Sequence, residues 1–365
     1  MTAVAIPKTQ IAAVLPSGAT LEARLDIRND RPVPTPAEGE VLVKLEYSGV
    51  CHSDVHSVRG ETPMLTDVAG HEGVGRVVQV GSGVDDKGWM GKRVGIRFVP
   101  TYLYILSSIW SHLLMYQGLS SVSIYLITHK KRVRLRPKPT YRIEYLVSPA
   151  AHVTKIPEEL DPDTAAPLLC AGIAMYSSIM KTKTLPGDWI VLPGAGGGLG
   201  HMGVQIAVKK GLKVIAIDSG EKKKQLCLKL GATIFLDYKT DNVESEVKAL
   251  TSGLGAHAVI CTAQSEAAYE QSLRLLRSLG VLVCVGIPNV PFRLPASPFD
   301  MIVKGLTIVG NSAGTAREME ELMEMAVAGD VKAHIECFEF DQIDDVIQRL
   351  GRSEIDGRAV MRIPE

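Results

Sequence analysis

The sequence predicts a two-part α/β chain: an irregular antiparallel β domain joined to a doubly wound parallel sheet built from βαβ units. Three stretches carry that expectation. Residues 38–47, EGEVLVKLEY, alternate apolar and polar with the period of a half-buried strand. Residues 69–84, AGHEGVGRVVQVGSGV, set a β-branched run between glycine turns. Residues 189–218, WIVLPGAGGGLGHMGVQIAVKKGLKVIAID, read as strand, glycine loop, amphipathic helix and strand.

At 365 residues the chain is long for one core and comfortable for two. Forty basic and forty acidic residues cancel, which removes any global pull toward nucleic acid or anionic lipid and leaves a small molecule as the default partner. The N-terminal MTAVAIPKTQ has no apolar run followed by a cleavage pattern, and six scattered cysteines suit a reducing compartment, so a cytoplasmic protein is expected. Further along, HAVICTA (257–263) and GVLVCVGIP (280–288) are strand candidates, with SEAAYEQSLRLLRSLG (265–280) helical between them. KGLTIVGNSAG (304–314) reads as a sheet edge or as an interior strand.

One stretch fits neither texture. Residues 99–128 contain no Asp, Glu, Lys or Arg, and the basic run HKKRVRLRPK follows directly. A membrane span is disfavoured by the many serines and by a topology that would split one β domain across a bilayer. Without amphipathic period or caps, residues 98–144 read either as a translated intron or shifted frame, or as a divergent insertion.

The loop of Gly194, Gly196, Gly197, Gly198, Leu199 and Gly200 has a strand before it and a helix after it. Glycines there let the backbone turn tightly and approach a pyrophosphate, while the helix N-terminus offers N–H groups to the anion. Asp218 ends the next strand, where a carboxylate accepts from both ribose hydroxyls and repels a 2′-phosphate, which favours NAD over NADP. Lys222, Lys223 and Lys224 pull the other way, since lysines near the ribose tolerate a phosphate. Cys51, His71 and Cys170 offer two thiolates and an imidazole, three ligands that leave one tetrahedral position open, as a catalytic zinc requires. Such an ion acts as a Lewis acid on an alcohol oxygen.

VCHSDVH, AGHEGVGRVVQVG, LLCAGI, GAGGGLG and EIDGRAVMRIP occur in one order and resemble the zinc-containing alcohol dehydrogenases of the medium-chain family, closest to their tetrameric microbial branch. The resemblance implies a GroES-like catalytic domain from residues 1–171 with 314–365, and a Rossmann NAD-binding domain from 172–313. It implies oxidation of a primary or secondary alcohol, or the reverse, in a homo-oligomer (dimer or tetramer) paired through Rossmann-domain edges. Cys51, His71 and Cys170 then match the catalytic zinc ligands and Glu72 the neighbouring carboxylate. Ser53 matches the hydroxyl that passes the proton outward, with His56 nearby; Asp54 orients His71. His52 and Arg358 match pyrophosphate contacts, Lys223 a ribose contact, and Val285 another cofactor contact.

Two departures from the family stand out. Its relay is expected to end at a histidine where this chain has Arg59, which cannot release a proton near neutral pH, so slower proton release is expected. The chain also has no cysteine between Cys51 and Cys170, which excludes a structural tetrathiolate zinc in that interval. Phe98 falls where the family places a pocket aromatic, and RGETPMLTDVAG is a few residues short. Competing readings are a zinc-free medium-chain reductase, a non-catalytic or degraded NAD-binding protein, and a membrane-anchored enzyme.

Overall fold

The computed structural model describes residues 5–16, 18–62, 67–68, 70–97, 143–288 and 292–364. The strands are β1 (Thr9–Val14), β2 (Asp26–Pro32), β3 (Glu40–Val50), β4 (Glu72–Val80), β5 (Arg93–Arg97), β6 (Tyr145–Pro149), β7 (Val153–Lys155), β8 (Trp189–Pro193), β9 (Lys213–Asp218), β10 (Ile234–Asp237), β11 (Ala256–Cys261), β12 (Leu276–Cys284), β13 (Thr307–Gly310), β14 (Ile335–Glu339) and β15 (Arg358–Arg362). They form a small β1–β2 sheet, a mixed seven-stranded sheet and a six-stranded sheet.

The seven-stranded sheet runs β14-β15-β3-β4-β5-β7, with β6 also on β3. β3 is its spine. Its first half pairs with β6 and its second half with β15, while β4 runs antiparallel along the other side. The apolar positions of the alternating run are buried, as a half-buried strand requires: Val41, Val43 and Leu45 pack with Val77, Val94 and Met361. The six-stranded sheet runs β10-β9-β8-β11-β12-β13, every pair parallel, with the order reversing at β8. In such sheets the crevice beyond the strand ends at the reversal is where a ligand sits. The glycine loop leaves β8 at that point.

One expectation needs correcting. The helix expected over 265–280 stops at Leu275, because Leu276 already pairs with Ala256 as β12 begins. Leu279 then adopts a positive φ of 62° within an irregular register, which no helix accommodates. Where the described residues resume, Ile143 bridges to Ala12, and the Glu144 carboxylate accepts from the Ile11 N–H at 2.7 Å. The expectations for 98–142, with Phe98 and the apolar run, lie outside the described residues. Among those described, no helix is long and apolar enough to cross a membrane. β13 lies at the edge of its sheet, the first of the two readings of 304–314.

Candidate active site

The site begins with the helix His52–Val58, which starts where β3 ends. Its cap is Cys51, whose N–H donates to Asp54 Oδ2 at 2.9 Å. The other Asp54 oxygen lies 3.0 Å from His71 Nδ1. A buried carboxylate on that side fixes the proton on Nδ1 and turns the Nε2 lone pair toward the sulfurs. β4 carries Glu72 at its first residue, beside His71, and the turn into the helix Ala171–Thr182 brings in Cys170.

One ligand atom each from Cys51, His71, Glu72 and Cys170 lie within 4.8 Å of one another. The two sulfurs are 3.9 Å apart, against about 3.8 Å for two thiolates bound tetrahedrally at zinc–sulfur lengths of about 2.3 Å. Glu72 is fully buried and its Oε2 has no hydrogen-bond partner. Room for that carboxyl comes from Gly49, where a Cβ would strike Glu72 Oε2. Two thiols, an imidazole and a carboxylate gathered this closely fit a soft divalent cation.

Electrostatics follow from the crowding. The hydrogen bond from the Cys170 thiol, with the charges of Arg358 and His71, holds Cys51 well below the usual thiol range. Cys170, facing that thiolate and buried, is pushed well up. Burial opposes charge on His71, yet the Asp54 carboxylate outweighs it and holds the imidazole well above its ordinary value. Burial raises Glu72 to about 7 against the pull of Arg358.

Ser53 Oγ lies 3.3 Å from His71 Nε2. On the same helix the rings of His52 and His56 are 5.3 Å apart; His56 Nδ1 is bonded to Glu61, and its buried Nε2 has no partner. Arg59 closes the helix with its guanidinium against Gly351. Burial lowers His52 below the ordinary histidine value. Arg358, expected at the pyrophosphate, donates from Nη2 to Glu72, and its side chain also borders Gly198.

In the glycine loop, Gly194 has φ +83°, and a Cβ at Gly200 would strike the Gly194 carbonyl, so both positions demand glycine. Asp218 Oδ2 accepts from Gly196 N–H at 2.9 Å and Oδ1 accepts from Lys223 Nζ at 2.8 Å. Lys222 is paired with Asp356, so two of the three lysines are engaged by carboxylates. Leu199 caps the helix Gly200–Lys209. Val285 follows β12, its N–H on the Cys261 carbonyl, in a cavity of about 640 Å³ next to Tyr269 and Asn311.

Thr262, which bonds the Pro193 carbonyl at 2.8 Å, and His201 were not singled out by sequence. His201 is fully buried: Nδ1 faces the Gly197 carbonyl at 2.9 Å and Nε2 accepts from His334 N–H at 3.0 Å. Burial pushes it down to about 4. An unfolded chain takes up that proton near the ordinary histidine value of 6.5, so between pH 6.5 and about 4 it binds more protons than the folded one. The stabilisation is therefore full above 6.5 and is lost as pH falls to about 4. Urea unfolding at pH 7 and pH 4 is expected to show a drop about 3 kcal/mol larger for the native chain than for His201→Gln. Equal drops would refute this assignment.

The pattern described as "Alcohol dehydrogenase GroES-like domain" matches residues 37–158, and that described as "Zinc-binding dehydrogenase" matches residues 198–328. The chain is 37% identical over 379 residues to Alcohol dehydrogenase 2 of Emericella nidulans, covering 99% of each. It is 38% identical over 333 residues to the alcohol dehydrogenase of Moraxella sp., covering 90% of this chain and 93% of the other. Among solved structures, the acetophenone reductase of Geotrichum candidum in complex with NAD is similar with a TM-score of 0.79 and 26% identity, covering 98% of both chains.

Proposed function

We infer the reaction from one premise: the chain belongs to the zinc-containing medium-chain alcohol dehydrogenases. Members interconvert alcohols and carbonyl compounds, and we propose that this chain does so with one zinc held by Cys51, His71 and Cys170, no structural zinc, and NAD as the hydride partner. The observation that carries this is the four-residue cluster within 4.8 Å, with Asp54 locking the His71 tautomer. Zinc supplies Lewis acidity toward the substrate oxygen, and NAD the acceptor for hydride.

The chain's own residues do the rest. Asp54 keeps His71 turned toward the sulfurs, and Glu72 stands ready at the fourth side. Ser53, at the same centre, takes the substrate proton and hands it on toward His56, whose Nδ1 is held by Glu61. Arg59 accepts no proton, and release is correspondingly slower than where a histidine fills that position. Gly194 to Gly200, with His52 and Arg358, receive the pyrophosphate; Asp218 and Lys223 receive the ribose; Val285 lines the nicotinamide end. Residues 1–171 with 314–365 form the catalytic unit and 172–313 the cofactor unit, in a cytoplasmic homo-oligomer. For the last, Phe299, Ile302 and Leu279 are 72%, 80% and 79% exposed on and beside the helix Pro298–Lys304, which leads into edge strand β13.

The test is metal analysis of purified protein together with an NADH assay over a panel of alcohols. The expected result is one zinc per subunit and alcohol-dependent NADH formation. Zinc-free protein with turnover would instead identify a metal-independent reductase, and NAD binding without either would leave a non-catalytic binder.

A further inference from the structure

His201 and Gln205 sit one turn apart on the helix that follows the glycine loop, both buried, and neither belongs to the metal cluster. Both recognise backbone rather than side chains. Gln205 donates to the Lys332 carbonyl at 3.0 Å and accepts from the Lys332 N–H at 2.9 Å, as a neighbouring strand would. His201 accepts from the His334 N–H at 3.0 Å. Together they pin residues 332–334, the approach to β14 of the seven-stranded sheet, onto a helix of the six-stranded one.

The path continues in both directions. The His334 carbonyl accepts from the Arg358 N–H at 2.9 Å, and Arg358 carries its guanidinium to Glu72 beside the sulfurs. At the other end His201 Nδ1 donates to the Gly197 carbonyl at 2.9 Å, inside the loop. Only a neutral imidazole with its proton on Nδ1 satisfies both contacts, since Nε2 must keep a lone pair for His334. Fit at the junction is close: a Cβ at Gly198 would meet the Gly357 carbonyl at 2.8 Å and Arg358 Cδ at 3.0 Å.

We propose that His201 is a positioning residue of the dinucleotide site: acting through His334, it fixes where the Arg358 guanidinium stands relative to the glycine loop. Its two ring nitrogens are both engaged by backbone, and it stands outside the metal cluster. The proposal rests on the reading of that loop as a pyrophosphate site. Its consequence is selective, because only ligands with a pyrophosphate report on the placement of Arg358.

Equilibrium titrations with NADH, ADP-ribose and AMP test this on the full chain. AMP shares the adenosine half of the cofactor and lacks the pyrophosphate. In His201→Ala, ADP-ribose and NADH are expected to bind about tenfold more weakly, the scale of one lost hydrogen bond to a charged group, with AMP within about twofold of native. His201→Gln keeps an acceptor within reach of the His334 N–H and is expected to restore most of the loss. His201→Asn keeps only a donor toward Gly197 and is expected to behave like alanine. A residue that merely caps the loop predicts the reverse order, and rescue by Asn but not Gln overturns the proposal. So does equal weakening of AMP and ADP-ribose. Should the alanine variant not fold, the Gln and Asn pair carries the same comparison. A native chain that binds neither NADH nor ADP-ribose would overturn the pyrophosphate reading itself, whereas native binding with unchanged variants overturns only the role of His201.

Discussion

Cys170→Ala is expected to yield protein that retains its fold, holds no stoichiometric zinc and turns over any alcohol at least about 10³-fold more slowly. The magnitude follows from the several kcal/mol of transition-state stabilisation that a Lewis acid contributes, at 1.36 kcal/mol per factor of ten. The fold should survive because Cys170 is a small side chain at the start of the helix Ala171–Thr182, whose burial rests on Ile173, Met175, Tyr176 and Ile179. The variant also releases Cys51 from the partner that holds it low, so its thiol should titrate closer to the usual range. Metal analysis, circular dichroism and steady-state rates check the three parts. Full zinc content with native turnover would remove Cys170 from the metal site and with it the mechanism. Loss of fold together with metal would instead make the cluster a structural one.

How much of this was legible in the sequence differs between parts of the site. The glycine loop and Asp218 were, because a tight turn against a helix N-terminus leaves glycine no substitute at Gly194 and Gly200. Cys51, His71 and Cys170 were legible as residue types that share one chemistry, and the structure brings them together from three separate elements. Arg358 was placed by resemblance alone. Its bond to Glu72, 286 positions away in sequence, arises because β3 lies between β15 and β4, and strand order is not written in local pattern. The overlong helix at 265–280 failed for a related reason: a leucine run suits helix or buried strand equally, and pairing of Leu276 with Ala256 decided between them. His201 and Gln205 left no signal, since side chains that recognise backbone need no particular residue opposite them.

Arg358→Met is expected to cost about 3–5 kcal/mol of stability, the range for removing one partner of a buried ion pair. Arg358 is 4% exposed and Glu72 0%, so neither charge can turn to water when the other is lost. The pair is also incompletely satisfied, because Arg358 Nε and Glu72 Oε2 have no hydrogen-bond partner. A divalent ion held there would face two thiolates and the Glu72 carboxylate, and the Arg358 guanidinium offsets part of that negative charge. Glu72→Gln alone is expected to destabilise by less, since the amide still accepts from Arg358 and the thiols still face that cation. The double variant Glu72→Gln with Arg358→Met should regain much of the loss, because a buried pair exchanged for neutral groups of similar volume is close to neutral in energy. Urea unfolding of the four proteins gives the coupling energy directly. A coupling below about 0.5 kcal/mol would mean that the two charges do not share a dry environment, and the charge balance of the metal centre would have to be drawn without Arg358.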